Sequence, residues 1–200
     1  MPSRLPSATM PGIERYNEFK KYNLDVLLRW RNFPKPTIAM VDGYCIYAER
    51  MLAGRLDLVF AADSALFLAG VIEYMSVPWD IGVKRAKELV FESRFISADE
   101  AHEYGFVNHV YPLADLERET YDYARRVAES NPVFVRIAKV MMNKAQDIQG
   151  YSNHLEDALG GSPMAEGARR LASVDLAVRH RRGDRHGLTP PDVDGTGTAE

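Results

Sequence analysis

A strand, a helix and two further strands follow one another in the first third of the chain, and this order constrains the fold most. The first strand is a short apolar run with β-branched residues that begins after Pro36 and ends at Asp42-Gly43. Such a run is typical of a buried strand closed by a tight turn. Buried strands joined through a helix pair in parallel rather than as a hairpin. The pattern predicts an α/β fold with strands at 37–41, 58–61 and 65–67 and a helix at 48–56.

Helices are predicted on both sides of this unit. Apolar residues recur at helical spacing from residue 13 to 33, and Pro34 ends that helix. Ser97 and Glu100 have the spacing of a capping box, in which the hydroxyl accepts from the Glu100 N–H and the carboxylate reaches back. Asn131 is predicted to cap a helix that begins with proline. The other predicted elements are helices at 84–91, 97–105, 113–130, 132–149, 151–160 and 164–180, a loop at 71–82 and a strand at 106–111.

Composition and charge exclude several classes of protein. The net charge of −3 gives no general attraction to nucleic acid or to anionic membranes. No apolar run approaches the roughly 20 residues that a membrane helix needs, and the N-terminus does not resemble a secretory signal. The single cysteine, Cys45, is interpreted as a small buried apolar residue and fits a reducing compartment. We therefore predict a cytoplasmic protein without nucleic-acid or membrane partners.

Several kinds of catalytic motif are not found in the sequence. The five histidines have no metal-ligand spacing, so no metal site is predicted. The sequence also contains no G-x-S-x-G nucleophile elbow and no glycine-rich phosphate-binding loop.

Three segments together resemble the crotonase superfamily, the enoyl-CoA hydratase/isomerase family. Residues 35–43 (KPTIAMVDG) are similar to its "KPxIAaVnG" strand, and residues 52–61 (LAGRLDLVFA) to its "LAxxCDiiiA" stretch. Residues 86–110 keep the order and spacing of a longer family motif that ends in "GlVnxV", which makes this segment the most specific. Glu73-Tyr74 and residues 78–82 (PWDIG) resemble a bacterial subgroup with an "EY…PWelG" loop. The resemblance extends over roughly residues 13–180.

The resemblance implies a spiral of ββα turns, incomplete at its N-terminus because the family's "AFxAGxD" segment is not matched. It also implies a helical C-terminal region, trimers or pairs of trimers, and acyl-CoA thioesters as substrates. Two backbone N–H groups of the family hold the thioester oxygen and stabilise the enolate. No cofactor is implied, because coenzyme A is part of the substrate. The expected organisation is a flexible lead-in (1–12), a crotonase-like spiral core (13–112), a helical trimerisation region (113–180) and a disordered tail (181–200).

The resemblance also indicates which residues form the site. Ala48 aligns with the glycine that gives the second oxyanion N–H, and its alternative interpretation is an ordinary first-turn alanine. Gly43 and Tyr47 lie beside it and are predicted to contact substrate. Met51 takes the place of the first hydratase glutamate and cannot carry a proton. Glu73 is the nearest carboxylate that could replace the second glutamate, and its alternative is a surface loop residue.

Two aromatic residues and three functions remain open at this stage. Tyr74 and Trp79 could form a wall of the acyl pocket or pack in the core beneath a loop.

The first function is hydration of a 2-enoyl-CoA, a lyase reaction of fatty acid metabolism, with Ala48 and Glu73 as catalytic residues. The second is a non-catalytic protein that binds CoA esters or assembles with itself or a paralogue. The third is a truncated form of a longer protein without a function of its own.

Overall fold

The computed structural model describes residues 14, 17, 18, 20–69 and 76–160. A π-helical turn (Lys21–Asp25) leads into the first helix. The strands are β1 (Ile38–Val41), β2 (Tyr44–Cys45), β3 (Leu58–Ala62), β4 (Leu66–Leu68), β5 (Phe95–Ser97) and β6 (His109–Tyr111). The helices are α1 (Val26–Arg31), α2 (Tyr47–Ala53), α3 (Val77–Ile81), α4 (Val83–Glu92), α5 (Ala98–Glu103), α6 (Leu113–Ala128), α7 (Pro132–Ile148) and α8 (Tyr151–Gly160).

The strands form two small sheets. One sheet has the order β1-β3-β6 and is parallel throughout, with Ile38 opposite Leu58 and Phe60 opposite His109. The other has the order β2-β4-β5, in which β4 pairs in parallel with β2 but antiparallel with β5. The predicted parallel α/β arrangement is confirmed for β1 and β3. The third predicted strand belongs to the second sheet instead, and this sheet contains the antiparallel pair.

Two clusters of buried side chains hold these elements together. The larger lies around the two sheets and includes Phe60 and Phe67, which are fully buried because their strands are covered on both faces. The smaller connects the N-terminal helical segment, α2 and α8. Its buried members are Leu24, Leu27, Met51, Tyr151 and Leu155.

Polar contacts fix α7 against the first sheet. The ammonium group of Lys139 lies 2.7 Å from a carboxylate oxygen of Asp57 and donates to the carbonyl of Lys35 at 3.1 Å. The same Asp57 oxygen accepts from the backbone N–H and the hydroxyl of Thr37, at 2.7 and 2.8 Å. Asp57 therefore joins the start of β1, the turn before β3 and the inner face of α7.

The predicted helix caps are confirmed in part. The Ser97 hydroxyl accepts from the Glu100 N–H at 3.1 Å, and the Asn131 side chain accepts from the N–H groups of Val133 and Phe134. The prediction that the Glu100 carboxylate reaches back to the cap is wrong. That carboxylate instead binds Arg94 and the Tyr104 hydroxyl, because a charged guanidinium is a stronger partner than a backbone amide.

Other predicted boundaries need correction. The helix at 48–56 begins one residue earlier and ends at Ala53, because the chain turns there to enter β3. The loop at 71–82 contains α3, and the strand at 106–111 is reduced to β6. Strand β5 was not predicted. The lead-in at 1–12, the helix at 164–180, the tail at 181–200 and the residues Glu73 and Tyr74 lie outside the described residues.

Candidate active site

The segment from the turn after β1 to the first turn of α2 contains three of the six predicted site residues, Gly43, Tyr47 and Ala48. Gly43 follows Asp42 with φ +82°, a left-handed conformation that glycine adopts without steric cost. A Cβ atom at this position would meet nothing within 4 Å, so there is room for a side chain. Glycine is favoured here by the backbone conformation alone. The carbonyl of Gly43 accepts from the Leu66 N–H at 2.9 Å, which ties the turn to β4.

Tyr47 begins α2 in a strained conformation. Its φ is +48°, which is uncommon for a bulky residue and costs about 1–3 kcal/mol. The side chain is 37% exposed and so is not held by burial. Backbone strain of this kind persists where surrounding structure enforces it, and it is concentrated at functional sites. The strained backbone at Tyr47 therefore makes the β2–α2 connection a candidate part of a functional site.

The backbone of Ala48 follows directly in the first turn of α2. The next N–H, that of Glu49, donates to the carbonyl of Ile46 at 3.2 Å. Among the described residues we find no acceptor for the Ala48 N–H, as expected for a first-turn amide. Ala48 and Glu49 are both exposed. The structure thus brings Gly43, Tyr47 and Ala48 together on one short connection with an N–H available for a ligand.

Cys45, on β2, is a buried residue within this segment. It is 2% exposed and packs in the larger core. Burial raises the pKa of its thiol to about 11, and the nearby charge of Arg50 only partly opposes this rise. A thiol in that state is a poor nucleophile, because the thiolate is the reactive form. The interpretation of Cys45 as a small buried residue agrees with this burial.

Met51 and Trp79 belong to the smaller core. Met51 is 5% exposed and packs with Leu155, so a carboxylate at this position would be buried among apolar groups. The indole N–H of Trp79 donates to Nδ1 of His154 at 3.0 Å, and its ring meets Tyr151 edge-on at 5.3 Å between centroids. Trp79, on α3, therefore packs against α8 and also lines a cavity, so both of its predicted roles stay predictions.

A buried ion pair lies directly beneath α2. The Arg50 guanidinium is 3.4 Å from a carboxylate oxygen of Asp80, which also accepts from the Ser76 hydroxyl at 3.2 Å. Burial raises the pKa of Asp80, while the charges of Arg50 and Arg55 oppose that rise. A Cβ atom on Gly54 would lie 3.0 Å from the side chains of Arg50, Asp80 and Ser76. The cluster therefore packs tightly against the backbone at the end of α2.

Sequence reasoning missed this polar cluster. The available signal was a pair of arginines, Arg50 and Arg55, that interrupt the apolar run around Met51 and Leu52. Charged residues on a buried helix require partners, and the Asp80 of the PWDIG segment is the partner of one of them. Sequence spacing alone did not indicate that the two segments meet.

The described residues offer no site for a metal ion. No group of three or more histidine, cysteine, aspartate or glutamate side chains within 20–69 and 76–160 has suitable geometry. Within the same ranges no helix combines the length and apolar character needed to cross a bilayer.

Comparison with known proteins gives one consistent family. The sequence profile described as enoyl-CoA hydratase/isomerase matches residues 7–166. A curated relative from Mycobacterium tuberculosis, "Putative enoyl-CoA hydratase EchA13", is 35% identical over 162 residues, which cover 76% of this chain and 51% of the relative. The chain thus spans about half the length of that relative.

Solved structures agree with the sequence comparison. The crystal structure of a probable enoyl-CoA hydratase from Mycobacterium thermoresistibile has a TM-score of 0.73 and 34% identity, covering 77% of this chain and 65% of its own. An enoyl-CoA hydratase/isomerase from Xanthobacter autotrophicus Py2 has a TM-score of 0.72 and 28% identity, covering 86% of this chain and 72% of its own.

Proposed function

Because the chain belongs to the enoyl-CoA hydratase/isomerase family, we propose that it acts on acyl-CoA thioesters through an enolate whose oxygen is stabilised by a backbone N–H. The predicted family is confirmed, and the described residues have a crotonase-like fold. The proposed reaction is hydration of a 2-enoyl-CoA, a lyase reaction of fatty acid metabolism. The buried thiol of Cys45 is compatible with the reducing cytoplasm that we propose as its location.

The proposed roles follow from the charge that develops in the reaction. Water adds its oxygen to C3 of the enoyl group, and the electron pair of the double bond moves toward the thioester oxygen. The Ala48 N–H would donate to that oxygen, and Glu73 would transfer the proton that finally reaches C2. Gly43, Tyr47, Tyr74 and Trp79 are the proposed substrate contacts. Glu73 and Tyr74 lie outside the described residues, so their roles rest on the family resemblance.

One observation supports the proposal more than any other. The Ala48 N–H has no acceptor among the described residues and sits on an exposed, strained turn that the aligned family motif assigns to substrate. A rigid donor held before substrate arrives needs little reorganisation during the reaction, which is the basis of oxyanion stabilisation.

A non-catalytic role is the second candidate. Met51 occupies the position of a catalytic glutamate and is buried in the smaller core, where an added carboxylate would be desolvated. A protein that binds CoA esters, or that assembles with a paralogue, would be compatible with this observation.

Hydration of crotonyl-CoA by the purified chain separates these candidates. We expect the absorbance of the enoyl thioester to decay faster than with a mock preparation from the same host. The Glu73→Gln variant is the paired measurement, and it should lose the rate if Glu73 moves the proton. A folded, soluble sample with no rate above the mock preparation would contradict the enzymatic proposal and favour the binding role.

We also propose self-association through α7, as a trimer or a pair of trimers. At about 100° of rotation per residue, Lys139, Asn143 and Gln146 share the inner face of this helix, where Lys139 and Asn143 contact the rest of the chain. The opposite face is apolar yet exposed to 52–77%. Its members are Phe134, Ile137, Met141 and Ile148. A contiguous exposed apolar stripe of this kind marks a protein interface.

Introducing a charge on that face should weaken assembly. We expect Ile137→Asp to shift the molecular mass, measured by size-exclusion chromatography with light scattering, toward the single chain. Burying a carboxylate in an apolar interface is strongly unfavourable. Val83→Asp on α4 is the matched control, since Val83 is similarly exposed at 56%. An unchanged mass for Ile137→Asp would exclude this face of α7 as the interface.

A further inference from the structure

Three arginines are buried near α8, but only two of them have a carboxylate partner. Arg31, Arg50 and Arg55 are each at most 4% exposed. Arg31 pairs with Asp147 at 3.2 Å, and Arg50 pairs with Asp80 at 3.4 Å. Among the described residues, the cluster is therefore one negative charge short.

The guanidinium of Arg55 is the group without a partner. Its Nε, Nη1 and Nη2 atoms are all buried, and none of them donates a hydrogen bond to an acceptor in the described part of the chain. The Arg55 guanidinium lies 5.8 Å from the centroid of the Tyr151 ring, and the Arg31 guanidinium lies 4.4 Å from the same centroid. A neutral tyrosine ring does not supply the full negative charge that a second buried cation requires. A buried cation with five unused N–H donors is costly and calls for an anion.

Arg55 also lines a large cavity. The cavity has a volume of about 1590 Å³ and lies between the first sheet, α6 and α7. Arg55, Asp80, Trp79 and Tyr151 line one part of it. The remaining lining is largely apolar and includes Ile38, Leu58, Tyr123, Val127 and Met142. The cavity thus combines one unpaired cation with an extended apolar wall.

We propose that this cavity binds a monocarboxylate with a hydrocarbon chain, whose carboxylate pairs with Arg55. The planar guanidinium presents two parallel N–H groups that match the two oxygens of a carboxylate. The Arg55 nitrogens are covered in the structure, so binding includes rotation of this flexible side chain toward the cavity that it lines. Asp80 does not compete with the ligand for Arg55, because its carboxylate already binds Arg50 and the Ser76 hydroxyl. The hydrocarbon chain would lie along the apolar wall.

This site differs from the proposed thioester site in its anchoring residue and in its ligand. Trp79 is the one proposed thioester contact that also lines the cavity. The cavity site involves neither Ala48 nor the turn after β1, and its ligand is a free acid rather than a CoA ester. Loss of hydratase activity would leave the inference untouched, and loss of acid binding would leave the proposed function untouched.

Calorimetric titration of the full chain with octanoate tests the inference. We expect binding by octanoate, and binding about 10- to 100-fold weaker by 1-octanol, which lacks the charge-assisted hydrogen bonds. Acetate, which lacks the hydrocarbon chain, should also bind more weakly. Arg55→Met removes the charge while keeping an unbranched apolar side chain, and it should weaken octanoate binding to the level of octanol. Arg55→Lys keeps the charge without the planar fork and should give an intermediate affinity.

Thermal unfolding of each variant checks that the fold is intact. Arg55→Met should unfold at the same temperature as the unmodified chain or higher, because an unpaired buried cation is removed. If Arg55→Met does not fold, Arg55→Lys provides the comparison. No binding of octanoate, or equal binding by the unmodified chain and a folded Arg55 variant, would overturn the proposal. Equal affinity for acetate and octanoate would overturn the role of the apolar wall.

Discussion

Replacing Asp80 by alanine is expected to lower the free energy of unfolding by about 3–5 kcal/mol, the typical cost of removing one partner of a buried ion pair. Asp80 is the carboxylate that faces both Arg50 and Arg55, and its side chain is 16% exposed. Its loss would leave two buried guanidinium groups without a negative charge. It would also remove the acceptor of the Ser76 hydroxyl. Since whole domains are stable by about 5–15 kcal/mol, this one substitution could unfold a large share of the molecules.

Chemical denaturation of the unmodified chain and of Asp80→Ala measures this difference in the free energy of unfolding. Asp63→Ala is the matched control, because Asp63 is exposed and follows β3 without a described ion pair. We expect a change within about 0.5 kcal/mol for that variant. The double variant Arg50→Met/Asp80→Ala should recover part of the loss, because it removes one of the two unpaired cations. Equal small effects of Asp63→Ala and Asp80→Ala would show that the Arg50–Asp80 pair does not stabilise the fold.

Local patterns in the sequence were sufficient to predict the three strands of the first sheet and most of the described helices, though not α3. The run at 37–41 forms β1 because β-branched and apolar residues between a proline and an Asp-Gly turn favour a buried strand. Asn131 and Pro132 begin α7 as predicted, since capping depends on residues three positions apart at most. These features need no information about distant parts of the chain.

Features that depend on distant contacts were not predicted. Strand β5 is only three residues long and has no alternation of its own, so its antiparallel pairing with β4 decides its conformation. The Arg50–Asp80 pair joins residues 30 positions apart. Trp79 packs against His154 on α8, 75 positions away, and nothing in the local sequence distinguishes that contact from a wall of a substrate pocket.

The candidate site shows the same division. The turn with Gly43 was predictable from the Asp-Gly pair, and its left-handed φ confirms a tight turn. The strain at Tyr47 was not predictable, because a tyrosine gives no local signal for a positive φ. The family resemblance supplied the role of Ala48, and the structure adds that its N–H has no acceptor among the described residues.

Removing the Ala48 N–H should reduce the turnover number for crotonyl-CoA by about 10²–10³-fold, the usual effect of losing one oxyanion donor. Ala48→Pro achieves this with a small side chain, and proline is tolerated in the first turn of a helix because N–H groups there have no intrahelical acceptor. The Ala48 N–H donates to the thioester oxygen in both the bound substrate and the transition state, but the negative charge on that oxygen is larger in the enolate-like transition state. The turnover number should therefore fall by a larger factor than the apparent affinity for substrate.

Two comparison variants make this result specific to the N–H group. Ala48→Gly keeps the donor and should retain most of the rate, while Glu49→Gln removes the adjacent exposed carboxylate and should have little effect if Glu49 is only solvated. Because proline also restricts the residue before it, and Tyr47 already has φ +48°, the unfolding temperature of Ala48→Pro must be measured beside its rate. A folded Ala48→Pro protein with an unchanged turnover number would remove Ala48 from the mechanism and leave the strained turn at Tyr47 without a catalytic purpose.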